Sequence, residues 1–79
     1  MKKPYSQKQG QYLAFIHYYS KVHRMAPAEL DIQKYFRVSP PSVHDMILRL
    51  EERGLIRRAP GRARSIELAI SPEELPALE

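Results

Sequence analysis

Apolar and polar residues follow two different periods along this chain. Tyr12, Phe15, Ile16, Tyr19 and Val22 recur at helical spacing, with Leu13 flanking the stripe, and predict a helix from about Ser6 to Val22. Ser6 followed by Gln9 is a capping-box pair at its start. Gly10, inside it, is expected to lower its stability slightly. Met25-Ala26-Pro27 turns the chain. Leu30, Ile32, Tyr35 and Phe36 mark a second helix, from Pro27 or Ala28 to Phe36. It has no strong N-cap residue, but Glu29 and Asp31 lie in the first turn, where the helix dipole favours anions. After the short turn Arg37-Val38-Ser39, the residues Val43, Met46, Ile47 and Leu50 fall at i, i+3, i+4 and i+7. That single stripe predicts a third helix, ending near Arg53. Ser39 can cap it, Pro40 suits the first helical position, and Gly54 supplies the positive φ of a helix stop.

Beyond Gly54 the period shortens. Leu55-Ile56-Arg57-Arg58 reads as a strand, Ala59-Pro60-Gly61-Arg62-Ala63-Arg64 as a Pro-Gly turn with basic shoulders, and Ser65 to Ile70 alternates polar and apolar as a half-buried strand does. Ser71-Pro72-Glu73-Glu74-Leu75 is expected to make one helical turn, and Pro76 to Glu79 a loose tail. The predicted fold is mainly α with a small β-hairpin: a winged helix-turn-helix of three helices and a two-stranded antiparallel wing over residues 1–70, followed by a C-terminal tail at 71–79.

With 79 residues, one domain is expected, and a domain this small buries only about 60% of its unfolded surface. No cysteine is present to add disulfides or thiolate zinc ligands. Met1-Lys2-Lys3 is basic, but Pro4, Ser6, Gln7, Lys8 and Gln9 follow instead of an apolar run, so neither a signal peptide nor a membrane span is expected and the cytoplasm is the expected compartment. The formal net charge of +4 is unevenly spread. Residues 1–70 hold 13 basic and six acidic side chains, and Arg53 to Arg64 contains five arginines and no acid. A basic body suits a polyanion.

The face of the third helix outside its apolar stripe carries Ser42, His44, Asp45 and Arg49, with Pro41 at its start. These are the candidates for contact with base edges. Arg49 can reach guanine or phosphate, Asp45 can accept from cytosine N4, Ser42 and His44 can donate or accept, and Pro41 can touch a thymine methyl. Ser39 caps first, and the helix N-terminus it opens is expected to hold a phosphate as well. The competing reading is a solvated face with an Asp45–Arg49 i,i+4 pair. In the hairpin, Arg62 and Arg64 are the candidates for phosphate or minor-groove contact. Alternation puts Arg57 and Arg58 on opposite faces, so at most one of these is expected on DNA, and the competing reading is solubilising charge on an edge strand. His17, His23 and His44 are spaced by six and 21 residues, which gives no adjacent helical pair and no expected metal site. The five tyrosines are read as core and partly buried surface.

Several motifs resemble one bacterial family. Ser6-Gln7-Lys8-Gln9 opening the first helix, Met25-Ala26-Pro27 before the second, Ser39-Pro40 opening the third and Arg53-Gly54-Leu55-Ile56 leading into the wing are similar to the LexA repressor DNA-binding domain, and Ser71-Pro72-Glu73-Glu74-Leu75-Pro76 is similar to the linker that leaves it. Val38 to Val43 and Glu51 to Leu55 also look like the DtxR/MntR repressors, and the fold is similar to that of MarR-type repressors. The resemblance departs at Arg37, where such turns usually hold glycine, and at Ala28, where a Thr/Ser cap is usual. An asparagine and acidic residues with which LexA domains read DNA are not reproduced, so no operator sequence carries over. Nothing after Ile70 resembles the family's self-cleaving peptidase domain or a metal-binding dimerisation domain. The resemblance implies a sequence-specific binder of double-stranded DNA, a small transcriptional regulator, and no cofactor is expected. One small module covers little DNA, so a homodimer on a pseudo-palindrome is one arrangement open to it. A winged-helix module that binds protein instead is the alternative. No nucleophile–base pair or phosphate loop suggests an enzyme.

Overall fold

In the computed structural model, residues 4–79 are described, and the basic start Met1-Lys2-Lys3 lies outside them. Helix α1 (Gln7–His23) opens on the expected box: the Gln9 N–H donates to Ser6 Oγ at 3.1 Å, and the Ser6 N–H donates to Gln9 Oε1 at 2.9 Å. Two of the helix's orphan donors are thereby satisfied. Tyr12, Leu13, Ala14, Phe15 and Ile16 are buried in succession, so the middle of α1 is enclosed nearly all round rather than along one stripe. Val22 departs from the expected stripe and is 74% exposed, because the last turn of α1 runs past the end of the core. Arg24 closes α1 in a left-handed conformation, φ 57°.

Helix α2 (Glu29–Phe36) lacks a capping side chain at Ala28, but Asp31 Oδ2 accepts the Ala28 N–H at 2.8 Å. The reciprocal half of a capping box thus stands in for the missing cap. Arg37 takes φ 55° at the end of α2, the left-handed position that favours glycine. Helix α3 (Pro40–Glu52) ends in a Schellman motif: the Leu55 N–H donates to the Leu50 carbonyl at 2.9 Å, the Gly54 N–H to that of Glu51 at 3.0 Å, and Gly54 has φ 74°. Strands β1 (Ile56–Arg57) and β2 (Glu67–Leu68) pair antiparallel, with Ile56 opposite Leu68 and Arg57 opposite Glu67. The order is α1-α2-α3-β1-β2, a three-helix body with a two-stranded wing, and both strands are shorter than the sequence pattern suggested.

Val43, Ile47 and Leu50 of α3, Ile32 of α2, Leu55 and Ile56 beside β1, and Ile66 before β2 close on α1. Tyr12 stacks on Phe36 with centroids 4.4 Å apart, and Phe15 packs against Tyr19, Tyr35 and Phe36. Tyr5 and Tyr12 are core, as expected of the tyrosines, while Tyr18 and Tyr35 are substantially exposed.

The tail is not loose. A 3-10 turn, Pro72–Glu74, leads into a strap that lies back over α1 and α2. Leu75 and Leu78 pack against the core, and Tyr5 Oη donates to the Glu74 carbonyl. Gln11 Nε2 donates to the Ala77 carbonyl at 2.9 Å, Gln11 Oε1 accepts the Glu79 N–H at 2.8 Å, and Tyr35 Oη donates to a Glu79 oxygen at 2.7 Å. Gly10 has a structural reason here. A Cβ at that position would lie 2.7 Å from Tyr5 Cε1 and 3.1 Å from Pro76 Cγ. No helix among the described residues is long and apolar enough to cross a membrane.

Candidate nucleic-acid interface

The exposed face of α3 follows from its period. Val43, Ile47 and Leu50 are buried, and positions 41, 45, 48 and 52 fall on the opposite side of the cylinder. All four are exposed, as are Ser42, His44 and Arg49 on the flanks. Ser42, Asp45, Met46 and Arg49 line a shallow depression of about 200 Å³. Among the described residues no ion pair joins Asp45 to Arg49, so both side chains are available to a ligand. His44 Nδ1 lies 3.4 Å from Glu29 Oε2, which draws it toward the start of α2. Leu48, 39% exposed amid this polar surface, was not among the sequence candidates. The signal was an apolar residue of α3 outside the stripe.

The N-terminus of α3 has few amides left for a phosphate. Pro40 and Pro41 carry no N–H. The next donor, Ser42 N–H, points at Ser39 Oγ at 3.4 Å, and the two hydroxyls of Ser39 and Ser42 lie 2.9 Å apart. Val43 N–H already donates to the Ser39 carbonyl. The first-turn amides are thus missing or engaged. Ser39 works as a cap.

The wing tip is a closed polar loop. The Arg62 N–H donates to the Ala59 carbonyl at 3.1 Å, and Gly61 has φ 72°, the geometry of a type II turn with Pro60 and Gly61 at its centre. Ser65 staples the loop. Its hydroxyl accepts the Ala59 N–H at 3.0 Å and lies 2.9 Å from the Arg62 carbonyl and 3.2 Å from that of Ala59, sharing one proton between them.

The four wing arginines fall into two classes. Arg58 Nε donates to Glu51 Oε1 of α3 at 3.1 Å, and Arg57, one residue earlier, is exposed, as strand alternation requires. Arg64, with φ 54°, directs Nη1 to Asp31 Oδ2 at 3.2 Å, the Ala26 carbonyl at 3.1 Å and Tyr19 Oη at 3.2 Å. The Ala28 N–H and then the Arg64 charge hold the Asp31 carboxyl below its ordinary range against the opposing effect of burial, and Tyr19 also hydrogen-bonds it. Neither Arg57 nor Arg62 has a side-chain hydrogen bond or ion pair among the described residues. All four line an open cleft of about 590 Å³ beside Ser65 and Ile66. A smaller hollow of about 130 Å³ joins Glu29 at the start of α2 to Arg58, Arg62 and Arg64, so the wing and the His44 end of α3 share one neighbourhood. Among the described residues no group of three or more His, Cys, Asp or Glu side chains is placed to hold a metal.

A family profile described as the LexA DNA binding domain matches residues 2–65. The chain belongs to that family. It is 37% identical over 71 residues to the LexA repressor of Thermosipho africanus, an alignment covering 90% of this chain and 36% of the relative. The LexA repressor of Bartonella quintana is 38% identical over 69 residues, covering 86% and 29%. The chain spans about a third of the length of the curated relatives it matches. Of the resemblances drawn from the sequence, the LexA domain is the one this match supports, and the winged helix-turn-helix described above is consistent with it. Within this LexA-type fold the eight sequence candidates sort by what they touch. Pro41, Ser42, His44, Asp45 and Arg49 share the open surface of α3, Ser39 caps it, Arg62 projects at the wing tip, and Arg64 turns inward.

Proposed function

We propose that this chain binds double-stranded DNA in a sequence-specific manner, as the reading domain of a cytoplasmic transcriptional repressor. The observation that carries the reading is that the face of α3 opposite Val43, Ile47 and Leu50 is uncovered. The strap folds back over α1 and α2 and leaves that face to solvent, and the wing adds Arg57 and Arg62, which have no side-chain partner among the described residues. An α-helix fits the major groove, where a polar face reads base edges. Arg49 would donate to guanine O6 and N7, Asp45 would accept from cytosine N4, and Ser42 and His44 would donate or accept. Pro41 and Leu48 offer apolar contact to thymine methyls. Arg62 meets phosphate, which positions the domain without reading sequence. This is binding rather than catalysis, and a homodimer on a pseudo-palindrome would supply the affinity that one small module lacks.

Selection of bound sequences from random duplex DNA tests the reading. The expected result is an enriched motif of two related half-sites, with affinity that falls as salt rises. Absence of retention on any duplex at low salt overturns it and leaves the protein-binding module.

A further inference from the structure

Besides the apolar packing of Ile56 and Ile66 on the helices, two ion pairs among the described residues tie the wing to them, one from each side of the hairpin. Arg58 on the incoming side meets Glu51 of α3. Arg64 on the returning side meets a three-part seat: Tyr19 near the end of α1, the Ala26 carbonyl between α1 and α2, and Asp31 in the first turn of α2. One nitrogen, Nη1, lies within 3.2 Å of all three acceptors and has two hydrogens to share among them. The backbone at Arg64 sits in the left-handed region, which a non-glycine residue occupies at a steric cost. The inward contacts hold it there. Arg62, two residues earlier, keeps its side chain without a partner among the described residues.

We propose that Arg64 is a positioning residue: seated on Asp31, Tyr19 and Ala26, it fixes the angle of the wing so that Arg62 and Arg57 meet the phosphates of a duplex whose groove α3 occupies. This rests on the DNA-binding reading. It assigns Arg64 to the body of the protein and not to the nucleic acid. The seat is well made for the purpose. Asp31 is fixed by the Ala28 N–H at 2.8 Å, and Tyr19 by its packing on Phe15, so the guanidinium binds to groups that are themselves held.

The test turns on a sign. Asp31→Asn removes a negative charge from a surface facing a polyanion, and charge alone predicts tighter binding. Its amide oxygen can still accept the Ala28 N–H, so the start of α2 is kept. The seat, though, loses its charge. Asp31→Asn is expected to weaken duplex binding about fivefold or more, a difference of roughly 1 kcal/mol. Arg64→Lys keeps the charge but ends one bond short of the seat, and is expected to weaken binding to the same degree. In both variants the slope of log affinity against log salt stays that of the wild type, since Arg62 and Arg57 still reach the phosphates on binding and the loss is the cost of ordering a looser wing. Tyr19→Phe is expected to give a smaller loss. Thermal unfolding of each variant, complete only above the assay temperature, shows that the loss is not one of folding.

A second readout needs no DNA. In the free protein, backbone order parameters at Gly61, Arg62 and Ala63 are expected to fall in Asp31→Asn and Arg64→Lys. If the wild type fails to bind any duplex, the functional reading falls while this loosening remains visible. If Asp31→Asn binds as tightly as the wild type or tighter, or Arg64→Ala lowers the salt slope by about 0.9, the value for one lost phosphate contact, or the wing order is unchanged, the proposal is overturned.

Discussion

The wing tip (residues 58–65) and the strap (residues 71–79) both contain little regular structure, yet they are tied to the helices by opposite means. At the wing tip the ties are charged or hydroxyl groups: Arg58 on Glu51, Arg64 on Asp31 and Tyr19, and Ser65 across the loop. The strap is tied by Leu75 and Leu78 packed against the core, by Pro76 beside Gly10, and by side chains that reach its backbone. Apolar burial is not screened by ions, whereas exposed polar contacts are weak and weaken further with salt. The strap is therefore part of the folded body in energetic terms. The wing tip is oriented rather than locked, which suits a loop that closes on a polyanion.

The largest expected effect is on the strap side. Gly10→Val puts a branched side chain where even a Cβ would overlap the Tyr5 ring. That ring is buried and its hydroxyl is engaged by Glu74, so it has little freedom to yield. The expected loss is about 2 kcal/mol, seen as a fall in Tm of roughly 10 °C in thermal unfolding of a domain this size. Gly10→Ala sharpens the point, because alanine gains about 1 kcal/mol of helix propensity over glycine. A more stable alanine variant would mean that the strap does not bear on α1.

Next come two changes at the wing. Ser65→Ala removes the staple and is expected to cost about 1 kcal/mol of local stability, read as faster amide exchange at Ala59 with α1 unchanged. Arg62→Ala is expected to leave stability alone and to lower the salt slope of DNA binding by about 1. If it instead speeded amide exchange at Ala59 as Ser65→Ala does, Arg62 would be one of the wing's ties and the division among its arginines would fail.

The contrast also explains what the sequence could reveal. The helix starts at Ser6 and Ser39 and the stop at Gly54 depend on partners three to five residues away, and each is visible as a local motif. So were the alternation that buries Ile66 and exposes Glu67, and the exposed face of α3. The strap depends on pairs such as Tyr5 with Glu74 and Gln11 with Ala77, 69 and 66 residues apart. No periodicity reports contacts at that range. Gly10 therefore read as a weak point in a helix when it is the place where the strap passes close. The same holds for Arg64, whose partners Tyr19 and Ala26 lie 45 and 38 residues away. Five arginines in a row of twelve residues spell a cationic loop, but not which of them are turned inward. The double proline at the start of α3 was legible as a start signal, and its cost in free amides was readable from the same two residues.

The smallest expected effect separates the two regions by pH. The Asp31 carboxyl is held low, first by the Ala28 N–H and then by Arg64. A depressed carboxyl contributes its stability above its unfolded value, about 3.9, and loses it as pH falls through the folded value below that. Nothing is expected to change from neutral pH down to about 4 on account of this group. Below that, protonation removes the charge from the Arg64 seat and the wing tip should gain mobility, measured as falling order parameters at Gly61 to Ala63. The strap bonds of Tyr5 and Gln11 end on backbone carbonyls at Glu74 and Ala77, and Leu75 and Leu78 do not titrate, so the strap should outlast the wing in acid. In Asp31→Asn the acid transition at the wing should vanish, because the loosened state is already present at neutral pH. A wing that loosens in acid equally in wild type and Asp31→Asn would place the sensitive group elsewhere and remove Asp31 from the account of how the hairpin is held.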